Sequence, residues 1–159
     1  MKAQQLKAQQ LKSMAVTILG VIGMVLIFAI PANAATASNE IDSVFQLTNK
    51  ERDEAGLFSL ELDSDLCAAA QTRAEEIAEL ASHTRPDGRD CHTILDDYGI
   101  AYEVWGENIA GGQTSADAVH HAWMNSPSHR ENILDAGYSK IGVGYYVVEG
   151  MTYWCTLYI

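Results

Sequence analysis

The stretch Ile141-Gly142-Val143-Gly144-Tyr145-Tyr146-Val147-Val148-Glu149-Gly150-Met151-Thr152-Tyr153-Trp154-Cys155-Thr156-Leu157-Tyr158-Ile159 decides the fold class. Branched and aromatic residues fill 141–148 and again 151–159. Glu149-Gly150 between them is the two-residue punctuation of a tight antiparallel hairpin. Upstream of it the dominant period is helical. Thr114 or Ser115 opens a helix whose core stripe is Ala118, Val119, Ala122 and Trp123, and Pro127 stops it. Ser128-His129-Arg130-Glu131 then reads as a capping box that starts a new turn over 132–135. Further back, Tyr102 to Val104 predicts a short strand that leads into the glycine-flanked segment 106–112. A short helix over 92–98 stops at Gly99, and the loop 82–90 turns at Pro86-Asp87-Gly88. A longer helix starts at Asp63 or Ser64 and runs to Ala81, with Leu66, Ala69, Ala70, Arg73, Ala74 and Ile77 along one face. The first helix spans 39–55, carries Ile41, Val44, Phe45 and Thr48 inward, and is stopped by Gly56; 57–60 is an extended link. Helices distributed around a small antiparallel sheet predict a single α+β domain, layered with helix on both sides of the sheet.

The N-terminus stands apart. Lys2, Lys7 and Lys12 precede an uninterrupted apolar run from Met14 to Ile30, and Ala32-Asn33-Ala34 supplies a small-x-small cleavage signal. This divides the chain into a signal peptide at 1–34, a leader at 35–42 and the domain at 43–159. The competing reading of the same run is an uncleaved anchor at the short edge of what spans a bilayer. Cleavage leaves 7 basic and 21 acidic side chains, 7 − 21 = −14, against 10 − 21 = −11 for the whole chain. So acidic a domain has no face for a nucleic-acid backbone and repels anionic lipid headgroups; one neutral lipid in a pocket is still compatible with it.

Cys67, Cys91 and Cys155 fit an exported protein in which two cysteines pair. Cys67–Cys91 is the preferred pair, since it ties a helix to the following loop, and Cys155 is read as a small buried apolar residue. No Cys-x-x-Cys pair and no Gly-x-Ser-x-Gly elbow occurs.

Candidate chemistry is confined to a few side chains. His83 and His129 sit in loops at helix ends, where two imidazoles can meet and hold zinc through neutral nitrogens; on local sequence alone the simpler reading of each is a cap or surface residue. Glu107, between Gly106 and Asn108, is placed either as a general base or as a carboxylate bonded to the backbone of its glycine loop. Glu131 could be a second catalytic acid, but its place in the capping box is sufficient reason for it; Arg130 reads as a carboxylate partner or a free surface charge, and His120-His121 as surface or rim. His92 reads as structural, and Trp105, Trp123 and Trp154 as core.

Four segments, in order, resemble the CAP superfamily, also called the SCP-like extracellular domain, and most of all its short secreted bacterial branch. They are Ser82-His83-Thr84-Arg85-Pro86-Asp87-Gly88, Gly106-Glu107-Asn108-Ile109-Ala110, Ala122 through Leu134, and Ile141-Gly142-Val143-Gly144-Tyr145. The resemblance covers about 43–159. It implies an α-β-α sandwich with a central cleft, two cleft histidines matching His83 and His129 that can hold a divalent metal such as Zn2+, and a cleft glutamate matching Glu107. Animal and plant members carry a second glutamate shortly after the tryptophan of the third helix. Here Trp123 is followed by Met124-Asn125-Ser126, and that carboxylate has no counterpart.

Two functions follow from this reading. The first is a secreted binding module whose His/Glu-lined cleft takes a divalent metal or a small extracellular ligand such as a lipid, peptide or wall fragment. The second is a zinc-assisted extracellular hydrolase of the peptidase kind, with His83 and His129 on the metal and Glu107 as base. Two protein nitrogens are one fewer than the usual catalytic set of three, which ranks the enzyme second.

Overall fold

The structure, a computed structural model, describes residues 32–159. Apart from its last three residues, the expected signal segment lies outside the described residues. Helix α1 runs Ala32–Glu54, so the segment expected as a leader is helical; Ala32, Ala34, Ala35 and Ala37 give it high helix propensity. Val44, Thr48 and Arg52 recur every fourth residue and are buried. The Arg52 guanidinium donates to the carbonyls of Phe58, Ile133 and Asp135 at 2.9, 3.0 and 2.7 Å, pinning α1 to the end of a later helix.

The two-residue strand β1, Glu61–Leu62, falls within what the sequence marks as the junction before the second helix, and pairs in parallel with Lys140–Ile141. Helix α2 is Ser64–Glu79. Asp63 caps it as expected, its Oδ1 accepting from the amides of Asp65 and Leu66, while Lys140 Nζ holds Oδ2 at 2.7 Å. Helix α3 is Thr93–Asp97.

Strand β2 is Gly106–Gly111, later than the strand expected at 102–104. It pairs antiparallel with the last strand, Glu107 opposite Leu157 and Ile109 opposite Cys155. Glu and Asn are poor strand formers, which hides this segment from a propensity reading; pairing and burial override propensity here. Helix α4, Ala116–Met124, is capped by Ser115 Oγ on the Ala118 amide. Its His120, expected at the surface or rim, is buried, while His121 is exposed. Helix α5 is Pro127–Ile133. The capping box at Ser128 is absent, because Pro127 itself takes the first helical position, where its missing N–H costs nothing.

Strands β3, Lys140–Val148, and β4, Met151–Tyr158, form the expected hairpin; Glu149 and Gly150 both take positive φ, 53° and 78°, as its two-residue turn requires. The sheet order is β1-β3-β4-β2, three antiparallel strands with a parallel edge. One face carries Leu66, Ala69, Ala70 and Ala74 of α2 with Ile94 and Leu95 against Cys155 and Leu157. The other carries Val44, Val119, Trp123 and Ile133 against Ile141, Val143, Trp154 and Tyr158. This is the α-β-α sandwich. Helix α2 lies directly on β3: a Cβ on Gly142 would come within 2.3 Å of the Leu66 backbone, and one on Gly144 within 2.1 Å of Ala70 O.

All three cysteines are free thiols, which corrects the expected Cys67–Cys91 bridge. The Cys67 sulfur accepts from the Val143 amide at 3.4 Å under β3, whereas Cys91 belongs to the group around Glu107. Cys155 is fully buried, as expected.

Candidate functional site

Alternation along β2 sends Glu107 and Ile109 to the α2 face of the sheet. On α2, Arg73 occupies the apolar stripe between Ala70 and Ile77, so its guanidinium is forced inside. There it finds the Glu107 carboxylate: Nε donates to Oε2 at 2.7 Å, and both side chains are essentially inaccessible. Arg73 also donates to Glu76 at 2.6 Å and to the Ser82 carbonyl at 2.9 Å. Glu76 in turn receives Arg85, whose other donor reaches Asp97 at 2.7 Å. This chain of charges fixes the loop after α2.

That loop carries His83. Cys91 N–H donates to His83 O at 2.9 Å and a bridge joins Thr84 to Asp90, so the two ends of the loop are zipped together. The His83 ring meets Glu107, Nδ1 to Oε1 at 2.7 Å, while 57% of its side chain stays exposed. The hydrogen bond to Glu107 raises the His83 pKa above the ordinary value, although burial pulls the other way. Burial pushes Glu107 up, but the bonds from His83 and Arg73 and their charges outweigh it, and its carboxyl titrates below the ordinary range.

Two thiols face the same carboxylate. Cys155 Sγ lies 3.8 Å from Glu107 Oε2. The Cys91 sulfur, a ring nitrogen of His83 and a carboxylate oxygen of Glu107 all lie within 4.8 Å of one another. Burial first, then the charge of Glu107, pushes the Cys91 thiol far above its ordinary pKa, which favours the protonated thiol in the metal-free protein.

His129 arrives from α5. Asn108, the neighbour of Glu107, points to the opposite face of β2 and donates to the His129 carbonyl at 3.0 Å; Asn132 donates to Asn108 Oδ1 at 2.8 Å and to the Glu107 carbonyl at 3.1 Å. The Gly-Glu-Asn segment thus holds His83 through the Glu107 side chain and α5 through that of Asn108. His129 is half-buried, and burial, then the charge of His83, lowers its pKa; the two rings are within electrostatic reach. Glu131 and Arg130 are exposed on α5. A cavity of about 240 Å³ lies along the same α2–β2 seam, lined by Ile77, Ala81, Ile109, Ala110, Gly111 and Tyr153.

Sequence reasoning finds His83, Glu107 and His129 but not Arg73 or Cys91. Arg73 is detectable as the single charge in an apolar helix stripe. Cys91 reads from sequence only as a bridge partner, since nothing local signals a thiol facing a carboxylate on a distant strand.

Comparison with known proteins agrees with this architecture. Residues 45–159 match the profile of the family described as "Cysteine-rich secretory protein family". The chain is 37% identical over 118 residues to the uncharacterized protein YkwD of Bacillus subtilis, covering 73% of this chain and 45% of that protein. Among solved structures, an extracellular protein containing a SCP domain from Bacillus anthracis superposes with a TM-score of 0.73 at 23% identity, over 82% of this chain and 44% of that one. An outer surface protein of Borrelia burgdorferi superposes at 0.70 with 23% identity, over 77% of this chain and 92% of that one. The chain spans less than half the length of the two Bacillus proteins. With the profile matched over most of its length and the sandwich reproduced, this chain belongs to the cysteine-rich secretory protein, or CAP, family.

Proposed function

We propose that the protein is an extracellular binding module whose cleft, at His83 and His129, takes a divalent metal or the polar end of a small ligand. The observation that carries the reading is the 2.7 Å bond from His83 Nδ1 to Glu107. A carboxylate on one ring nitrogen fixes the tautomer and turns the other nitrogen to the ligand, as the outer partners of metal-bound histidines do. His129 suits the same role, because burial lowers its pKa and so favours the neutral form, the one that coordinates. The donor chemistry therefore fits zinc, held by His83 and His129, which when bound would supply Lewis acidity to a ligand oxygen. The cavity along the α2–β2 seam, lined by Ile77, Ala81 and Ile109 among others, offers room for an apolar group such as an acyl chain or a peptide side chain.

The hydrolase reading needs Glu107 to take a proton from water. Glu107 is buried, both oxygens are hydrogen-bonded, and its pKa is depressed, which makes it a poor base and a good orienting group. Calorimetric titration of the metal-free protein with zinc tests the choice. We expect one equivalent bound, weakened at least about tenfold in His83→Ala, and by as much in His129→Ala where the second histidine is the other ligand, with no turnover of a peptide library. Chelator-sensitive peptide cleavage that vanishes in Glu107→Gln would replace the module with the hydrolase.

A further inference from the structure

We infer that Cys91 is a metal ligand, and that with His83, bound through Nδ1, and Glu107, bound through Oε1, it forms a thiolate–imidazole–carboxylate site for a borderline-soft divalent ion such as zinc. The inference rests on the reading that a metal binds at His83; it puts Cys91 and Glu107 in the place of His129 and Nδ1 of His83 in the place of Nε2, so the two donor sets exclude each other and the response of His129→Ala decides between them. Three donors of the right kinds already lie within 4.8 Å of one another. Zinc bonds of about 2.0 Å to nitrogen and oxygen and about 2.3 Å to sulfur place donors roughly 3.3–3.8 Å apart around a shared centre. The sulfur then closes in by at most about an ångström, and His83 Nδ1 and Glu107 Oε1, now 2.7 Å apart, open by about half an ångström to admit the ion.

The supports of a metal site surround this group. His83 and Cys91 sit at the two ends of one loop and are joined by the Cys91 N–H bond to the His83 carbonyl. Arg73 holds Glu107 chiefly through Oε2, Nε donating at 2.7 Å, while Oε1 is turned to His83 and receives Arg73 Nη2 only at 3.4 Å. A hydrogen-bonded outer partner of this kind is what ligating carboxylates carry. Charge also balances. One thiolate and one carboxylate neutralise a dication, and the Arg73 charge has a second partner in Glu76 at 2.6 Å. The ion takes the place of the proton between Nδ1 and Oε1 and of the proton on Cys91. The thiol proton leaves to solvent, and a second one follows when His83 starts as the imidazolium; no electron is transferred. The exposed side of His83 leaves the site open to solvent, so the set is three protein donors with a free position, the count that two histidines alone do not reach.

Cobalt(II) reports thiolate ligation by its near-ultraviolet charge-transfer band. Titrating the reduced protein with cobalt, we expect that band to saturate at one equivalent, to be lost in Cys91→Ser, and to persist in Cys67→Ser and His129→Ala. Cys67 is the matched control, since its sulfur is engaged with Val143 under β3. Cobalt or zinc bound without a thiolate band, and lost in His129→Ala, overturns this inference and leaves the two-histidine reading standing. A band lost in Cys155→Ser but kept in Cys91→Ser overturns it as well. No metal bound by the wild-type protein overturns both readings. Should Cys91→Ser fail to fold, X-ray absorption of the zinc-loaded wild type decides without a variant: one sulfur at about 2.3 Å is expected, and a shell of nitrogen and oxygen only overturns the assignment.

Discussion

Glu107 owes its position to Arg73 as much as to its own strand. A guanidinium with no accessible surface is tolerated because a carboxylate 2.7 Å away shares its burial. Glu107→Gln removes that charge and leaves the buried cation with the partly exposed Glu76 as its sole carboxylate partner. We expect it to cost about 3–5 kcal/mol in chemical denaturation, with much of the loss recovered in the double variant Arg73→Met, Glu107→Leu. The pair Glu107–His83 also sets a pH window in the metal-free protein. A depressed carboxyl contributes stability above its ordinary value of 4.5 that is lost as pH falls through the lowered pKa. A raised imidazole contributes below its ordinary 6.5 and loses that as pH rises through the raised pKa. Both contributions are therefore complete between about pH 4.5 and 6.5. An NMR titration should place the His83 midpoint above that of an unperturbed histidine, and below it in Glu107→Gln, where burial acts without the carboxylate. His83 and Glu107 are legible because each lies in a distinctive segment. Their joining is not, since a contact across 24 residues of chain leaves no local trace.

Among the elements, α2 and β3 show how closely sequence can specify packing. The Ile141-Gly142-Val143-Gly144 alternation puts side chains on one face and bare backbone on the other, and α2 answers with Ala69 and Ala70. The helix therefore rests on strand backbone, with Arg73 carried down onto Glu107. Gly144→Ala would drive a methyl to 2.1 Å from a backbone carbonyl that cannot rotate away. Overpacking costs typically about 1–3 kcal/mol, and here the obstacle is backbone, so we expect the upper end or more, with α2 displaced. Denaturant unfolding gives the loss. A weakened His83–Glu107 interaction, seen as a His83 titration midpoint nearer that of a free histidine, would report the displacement at the site. The hairpin and both capped helices are legible, since Ser115, Asp63 and Glu149-Gly150 act within a few residues. Strand β2 is not, because Glu107 and Asn108 are there for their partners, Arg73, His83 and Asn132, and against their own strand propensity.

Across the whole molecule, the scarce cations are nearly all used as pins. Of the seven in 35–159, Arg73, Arg85, Arg89, Lys50 and Lys140 are in ion pairs, Arg52 caps carbonyls, and Arg130 is exposed. Fourteen acidic charges are left in excess, so the surface repels itself. Added salt then acts in two directions. It screens exposed pairs such as Arg89–Asp97 and Lys50–Glu54, which contribute about 0–1 kcal/mol each. It also screens the long-range repulsion, which reaches farthest at low ionic strength, where the Debye length is about 30 Å at 0.01 M and about 10 Å at 0.1 M. Repulsion among fourteen uncompensated charges outweighs a few weak surface pairs, and the Arg73–Glu107 pair is too deeply buried to respond. The melting temperature should therefore rise as sodium chloride goes from about 10 mM to about 200 mM. A fall over that range would mean that the Arg85–Glu76–Asp97–Arg89 network carries more of the fold's stability than its exposed half suggests, and would move the loop bearing His83 and Cys91 from a pinned appendage to a principal support of the domain.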